Sequence, residues 1–194
     1  MIDFLLRIDR GLLLRINHFN APWLDQCMWV LSSKWINLPL AVVLILVFKR
    51  QFSWQKTSLL FLLALVVVSL TDVISTQVFK DYFERLRPSH DPILHDYLHY
   101  YMIAPGYPYL GGQFGFVSSH AANLAALFAF TFPYLKKYPF VVYGLGCYVL
   151  LVSYSRVYLG VHFPSDVICG AVLGLILGWL FQKHIFTKLL DKWD

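Results

Sequence analysis

Charge is scarce in this chain: 14% of its 194 residues are Asp, Glu, Lys or Arg, while 58% are hydrophobic. A soluble domain carries about 25% charged residues, so the composition points to a polytopic membrane protein. Cysteine is scarce as well. Cys27, Cys147 and Cys169 lie in or near apolar segments without paired spacing, which supports neither a disulfide framework nor a zinc site. They are expected to be small core hydrophobes. Despite a net charge of +5 there is no basic run, and Lys and Arg mostly sit at the ends of apolar segments; nucleic acid is not an expected partner. Internal repeats and low-complexity segments are also missing. The first 17 residues lack the continuous apolar core of a cleavable signal, because Asp3, Arg7, Asp9, Arg10 and Arg15 interrupt their leucines, and the segment is expected to stay on the mature protein.

What the chain does have is a series of long apolar segments. Residues 2–17 place Ile2, Leu5, Leu6, Leu12, Leu13 and Ile16 at near-helical spacing between charges, the pattern of an amphipathic helix lying in the membrane interface. Residues 23–48 are long enough for a tilted span, interrupted by Ser32, Ser33 and Lys34 and kinked at Pro39. Lys34 needs a polar partner or must snorkel. Residues 57–79 form a second span of about 35 Å at 1.5 Å per residue, with Asp72 inside it. Residues 80–117 contain four prolines and four glycines and read as a long loop with short elements, of the kind that carries function. Three more apolar segments follow at 118–134, 140–154 and 164–181. The expected fold is a single all-α integral membrane domain over residues 1–194: about five transmembrane helices, an N-terminal interfacial helix over 1–20, and a loop over 80–117.

A cytoplasmic C-terminus puts Lys49, Arg50, Lys56, Lys136, Lys137, Lys183, Lys188 and Lys192 on the inner side, as the positive-inside rule favours. Lys80, Arg85, Arg87 and Arg156 then fall on the opposite side, against the rule, and need another reason to be there. An odd span count also leaves Arg7, Arg10 and Arg15 outside.

Phosphate chemistry supplies that reason. A phosphate monoester brings nearly two negative charges, which Arg binds through two parallel donors and Lys as a point charge. Lys80, Arg87 and Arg156, all at non-cytoplasmic ends of spans, form an anion site; singly, each would be an ordinary headgroup contact. Ser118, Ser119 and His120 open an apolar helix, where free N–H groups and the dipole favour an anion and where Ser118 adds a hydroxyl. A plain Ser N-cap would look the same without His120, which can protonate a leaving alkoxide. His162 and Asp166 are four apart at the entry of the last span, with Pro164 suited to its first turn. The carboxylate can reach back to one ring nitrogen, fix the tautomer and sharpen the other nitrogen as a nucleophile.

Together these residues resemble the type 2 phosphatidic acid phosphatase superfamily, membrane lipid phosphatases related to vanadium haloperoxidases and bacterial acid phosphatases. The first motif, Lys80, six residues, then Arg87 and Pro88, matches fully, as does the third, Ser155 and Arg156, five residues, His162, three residues, Asp166. In the second, the family's Pro-Ser-Gly-His is replaced by Val117, Ser118, Ser119 and His120, which bears on loop geometry more than on chemistry. The resemblance implies that His162 is a nucleophile forming a phosphohistidine, Asp166 its orienting partner and His120 the general acid. It also implies that Lys80, Arg87, Ser118, Arg156 and the N–H of Ser119 hold the phosphoryl oxygens, with no cofactor and no metal. The implied partners are the bilayer and a lipid phosphate or pyrophosphate. Undecaprenyl pyrophosphate is favoured on family frequency, ahead of phosphatidylglycerol phosphate, phosphatidic acid or lipid A phosphate. The implied setting is the bacterial inner membrane, with the site facing the periplasm or exterior. A phosphotransferase using the same intermediate, or a transporter or lipid-binding protein that lost the chemistry, are the rivals.

Several residues invite other readings. His95 and His99, with His90 and Asp96, have a spacing that could suit zinc, but among Tyr97, Tyr100 and Tyr101 they read as an aromatic belt shaping the substrate entrance. Asp72 is expected to pair with Lys34 or with a hydroxyl on a neighbouring helix. Gly111 and Gly112 let the loop turn into the helix of Ser118, and residues 89–113 are expected to select the headgroup.

Overall fold

A computed structural model describes residues 2–186. Seven helices make up most of it: α1 (Ile2–His18), α2 (Pro22–Ser32), α3 (Asn37–Gln51), α4 (Trp54–Phe83), α5 (Ser119–Leu135), α6 (Pro139–Tyr158) and α7 (Pro164–Phe181). Large apolar side chains such as Leu38, Leu46, Leu62, Leu150, Ile168 and Ile176 stand exposed along their outer faces. Hydrocarbon rather than water is the solvent that accommodates such a surface, and the chain is an all-α integral membrane protein. By length and composition, three described helices can cross a bilayer: α4, α6, and α7 extended to His184. The pair α2 and α3 makes a fourth if it counts as one broken span. Helix α5 has 17 residues, or about 25 Å, slightly less than a hydrocarbon core of about 30 Å.

The expected tilted span over 23–48 is fully broken at the interruption marked by Ser32, Ser33 and Lys34. Ser33 takes up extended backbone (ψ 151°) and the axis turns by 68° between Pro22–Ser32 and Lys34–Gln51. The bend falls at Ser33 and not at Pro39, because Pro39 sits in the first turn of α3, where its missing N–H has no intrahelical partner to lose.

Helix α1 also differs from a helix lying free in the interface. Its outward face carries Phe4, Leu5, Ile8 and Leu12, while Asp9, Leu13 and Asn17, at i, i+4 and i+8, are buried against the protein. Asn17 donates to the carbonyls of His99 and Tyr158, both at 2.8 Å, and accepts from the His99 N–H. Arg10 pairs with Asp91 at 3.2 Å. A docked helix with polar inward contacts thus gives Asp9, Arg10 and Asn17 partners on the protein.

Helices α5 and α7 pack with backbones nearly touching. Gly170, Gly174 and Gly178 recur every four residues on α7 and face Ser118, Ala122 and Ala126 on α5. A Cβ at Gly170 would lie 2.6 Å from the Ser118 carbonyl oxygen, and one at Gly174 would overlap the Ala122 carbonyl. Small residues at this spacing are how membrane helices gain close van der Waals contact without a hydrophobic driving force. The contact holds the N-termini of α5 and α7 side by side, and the Ser118 N–H bonds the Asp166 carbonyl at 2.9 Å.

Residues 84–118 cover that end. After Glu84, which ends α4 in a left-handed conformation (φ 45°), come short turns and a hairpin of β1 (Met102–Ala104) and β2 (Tyr107–Pro108). Trp29 of α2 stacks on Tyr101, ring centroids 4.6 Å apart. The largest apolar cluster, with Phe48, Leu60, Val67, Phe130, Leu135 and Phe181, lies towards the opposite end. Lys49, Arg50, Lys56, Lys136, Lys137 and Lys183 occupy the helix ends and turns of that opposite end; Lys188 and Lys192 lie outside the described residues. Cys27, Cys147 and Cys169 are free and exposed rather than core residues, as outward faces in lipid allow.

Candidate active site

Three helix ends, the connection between α6 and α7 and one long loop bring the charged groups together. Lys80 lies at the end of a π-helical stretch in α4, Ile74–Lys80, a widening often found at functional sites. Ser119 and His120 open α5, Arg156 closes α6, and His162 stands in the tight connection to α7. Arg87 comes from the loop. Lys80, Arg87, Ser119, His120, Arg156 and His162 all line one cavity of about 750 Å³.

Local bonds hold each of them. Lys80 Nζ donates to Ser119 Oγ at 2.8 Å, and Ser75 Oγ reaches the same oxygen at 2.9 Å. Arg87 donates through Nε to the Phe114 carbonyl and through Nη1 to the Val161 carbonyl, at 3.0 and 3.2 Å. Gly111 (φ +69°) takes a left-handed conformation that suits glycine, and a Cβ there would stand 3.0 Å from Arg87 Nη1. Arg156 is bonded to Ser32 of α2 and to the Tyr109 hydroxyl, the latter at 3.1 Å. Packing like cations together while buried has a cost: the Arg87 pKa falls to about 10, from burial first and the Arg156 charge second. An anion between them relieves both.

His162 is 1% exposed and Asp166 is fully buried. Arg87 Nη1 lies 3.2 Å from His162 Nε2. A guanidinium has no acceptor, so Nε2 must accept; the proton of the neutral ring is then on Nδ1. Burial above all, then the Arg87, Arg156 and Lys80 charges, hold the His162 pKa well below its usual value, which keeps Nε2 unprotonated and nucleophilic. Nδ1 faces Asp166 Oδ2 at 3.5 Å, too long for a hydrogen bond, and has no other partner among the described residues. The spacing of His162 and Asp166 thus yields proximity rather than the closed bond expected from the sequence, and Arg87 sets the tautomer.

Asp166 is held from elsewhere. Arg85 Nη1 donates to Oδ1 at 2.7 Å and the Phe163 N–H to Oδ2 at 3.0 Å. Arg85 Nη2 also pairs with Asp9 Oδ2 of α1 at 2.7 Å, and Asp9 accepts from the Ser165 N–H and hydroxyl at 2.9 and 2.5 Å. The Arg85 guanidinium lies 4.2 Å over the Phe163 ring. Asp9, Arg85 and Ser165 are functional neighbours that motif reading passed over. Their available signals were the misplaced cation at 85 and an acid at position 9 sharing one helix face with Leu13 and Asn17.

Other expected residues fall elsewhere. Ser118 is buried with its hydroxyl unpartnered among the described residues and does not line the cavity; the Ser119 hydroxyl takes that place, because α5 begins with Ser119 inside its first turn. His95 Nδ1 lies 2.9 Å from the Ser89 carbonyl and His99 Nε2 3.0 Å from Asp25. These histidines tie the loop to itself and to α2, and neither lines the cavity. The Asp72 carboxylate accepts from Asn123 Nδ2 at 2.9 Å rather than from Lys34 or a hydroxyl of a neighbouring helix, while the Ser75 and Thr76 hydroxyls of its own helix bond its backbone carbonyl.

A family description, the PAP2 superfamily, matches residues 55–189. The chain belongs to the PAP2 superfamily. It is similar to a lipid A 4'-phosphatase of Porphyromonas gingivalis, 33% identical over 99% of this chain and 78% of that protein. It is also similar to an undecaprenyl-diphosphatase of Sulfolobus acidocaldarius, 30% identical over 91% of this chain and 78% of the relative. Among solved structures, a transmembrane PAP2 type phosphatidylglycerolphosphate phosphatase from Bacillus subtilis superposes with a TM-score of 0.67 and 27% identity, covering 95% of this chain and 87% of that one. As a PAP2 protein with such relatives, this chain is a membrane lipid phosphatase.

Proposed function

We propose that the chain removes phosphate from a membrane lipid without a metal ion, through a phosphohistidine on His162. The carrying observation is His162 Nε2, kept unprotonated beside Arg87 and opening on a cavity that it shares with Lys80, Ser119, His120 and Arg156. Nε2 attacks phosphorus as the bond to the lipid oxygen breaks, and His120 gives that oxygen its proton. Lys80, Arg87, Arg156 and the Ser119 hydroxyl and N–H offset charge on the equatorial oxygens; being fixed beforehand, they do so without rearrangement. Water then attacks the phosphohistidine, passes a proton to His120, and inorganic phosphate leaves with His162 restored. Asp166, held by Arg85, steadies the positive ring of the intermediate. The Ser118 hydroxyl stands behind the cavity wall and acts on its shape.

The site opens at the outer face of a bacterial inner membrane, on the side away from Lys49, Arg50, Lys56, Lys136, Lys137 and Lys183, which supports the inside-positive arrangement. The cavity continues between Leu40 and Leu44 of α3 and Leu65 and Val68 of α4, a path by which a lipid tail stays in an apolar surrounding while its headgroup reaches the cations. The relatives favour a lipid A phosphate as substrate ahead of undecaprenyl pyrophosphate, since the lipid A relative is the more alike over the longer stretch.

The test is phosphate release from a panel of lipid phosphates and pyrophosphates in detergent with a chelator present. Release by the wild type and none by His162→Ala is the expected result. Activity that needs added metal, or that survives His162→Ala, overturns the mechanism. Loss of lipid phosphate without free phosphate, when an acceptor is supplied, would mark a phosphotransferase.

A further inference from the structure

The same cavity contains a second polar level, deeper between the helices, that phosphate chemistry does not use. On α4, Asp72 lies eight residues before Lys80, on the same face. On α6, Tyr148 lies eight residues before Arg156, and on α5 Asn123 lies three residues after His120. Eight helical residues amount to roughly 10–12 Å. Each of three helices thus carries a group of the phosphate site at its end and a polar group about one or two turns further in, and Asn37 of α3 joins them. All four inner residues line the cavity.

Their hydrogen bonds are left open in one sense. Asn123 Nδ2 donates to Asp72 Oδ1 at 2.9 Å, and the Tyr148 hydroxyl donates to Asn37 Oδ1 at 2.9 Å. Asn123 Oδ1 is buried and has no partner among the described residues. Asp72 is exposed to the cavity with one amide donor on it. A pair serving only to join α4 and α5 would have closed its acceptors, because an unpaired buried acceptor, and still more an unpaired carboxylate at membrane depth, is costly. The positions left open on the Asp72–Asn123 pair are acceptors, although Lys34, Ser69 and Thr76 stand elsewhere in the same lining.

We infer that Asp72 and Asn123 form a headgroup shelf that selects a phospholipid carrying O–H or N–H donors next to its phosphate, the chemistry of an acylated amino sugar. A polyprenyl phosphate has only hydrocarbon behind its phosphate. A diacylglycerol phosphate offers ester carbonyls, which are acceptors and meet acceptors on the shelf. A sugar ring with a free hydroxyl and an amide N–H supplies the donors within the length of one ring. This rests on the phosphatase reading and narrows its substrate class.

The experiment compares an N-acylated glucosamine phosphate glycolipid with a polyprenyl monophosphate, both monoesters, on wild type, Asn123→Leu and the milder Asp72→Asn, all checked for folding by melting in detergent. The wild type should favour the glycolipid in kcat/KM. That ratio should fall about tenfold in Asn123→Leu, mainly through KM, since one hydrogen bond is worth about that factor, and should fall in Asp72→Asn as well. A ratio unmoved by either variant, or a wild type that favours the polyprenyl phosphate, overturns the shelf. If the wild type releases phosphate from neither lipid, the phosphatase reading is what fails, and binding decides on the shelf. Thermal stabilisation by the glycolipid but not by the polyprenyl phosphate, lost in Asn123→Leu, supports it, and equal stabilisation by both refutes it.

Discussion

The two halves of this molecule divide the work unequally. Residues 55–189, which match the family, contribute every group that the proposed mechanism sets against the phosphoryl oxygens or the leaving group. Residues before 55 contribute none of these, yet Asp9 holds Arg85 on Asp166, Ser32 is bonded to Arg156, and Asn17 pins the loop through His99. The reacting groups are recognisable by type because the chemistry dictates them. The groups that place them are ordinary polar residues, recognisable only from where they end up.

The largest effects should come from the reacting half. His162→Ala removes the nucleophile and should lower kcat by a thousandfold or more, measured as phosphate release with protein shown to be folded; a residual activity within tenfold of wild type would refute its role. His120→Ala should cost about 10²–10⁴ in kcat, the usual worth of a general acid. The loss should shrink for a substrate whose leaving group needs little protonation, such as a nitrophenyl phosphate; an equal loss on both would argue that His120 only shapes the cavity.

Positioning by the N-terminal half should show a smaller and differently distributed effect. Asp9→Asn and Arg85→Gln should each lower kcat by roughly 10–100-fold, the range seen when a partner of a functional ligand is removed, and lower stability as well, since a partly buried charge loses its mate. Combined, they should cost far less than the product of the single effects, because both act through Asp166. Multiplicative losses would break the proposed Asp9–Arg85–Asp166 chain.

The smallest effect is a pH dependence. His162 stays neutral when folded, its pKa held down by burial and the neighbouring cations, while the unfolded chain has an ordinary His near about 6.5. Below that pH the unfolded state binds the extra proton, so stability falls as pH falls through about 6.5, by at most about 1.4 kcal/mol per unit. The melting temperature should therefore drop between pH 7.5 and 5.5, and His162→Asn should drop less. An equal drop in both would show that His162 carries no such linkage.

Much of the reacting half was legible in the sequence, because Lys80, Arg87 and Arg156 stand on the side where topology disfavours cations and because a histidine four residues from an acid precedes an apolar helix. The rest was hidden for definite reasons. The interruption at Ser32, Ser33 and Lys34 was legible but not the size of the 68° bend there, and Pro39, read as a kink, is harmless in a first turn. The glycines of α7 and the alanines of α5 have meaning only as a register between two helices. Whether Ser118 or Ser119 faces the cavity depends on the residue at which α5 begins, a boundary that sequence places only to within a residue or two. Asp72 was recognisable as an oddity, but its partner Asn123 lies 51 positions away.

The central claim is that His162 carries the phosphoryl group, and rapid acid-free quenching followed by mass spectrometry of the digested protein tests it most directly. With a lipid phosphate present, the peptide containing His162 should gain one phosphoryl group that is lost in acid and kept in alkali, and the mark should be missing from His162→Ala. A phosphoryl group on another residue, or full turnover by His162→Ala without any mark, would contradict it.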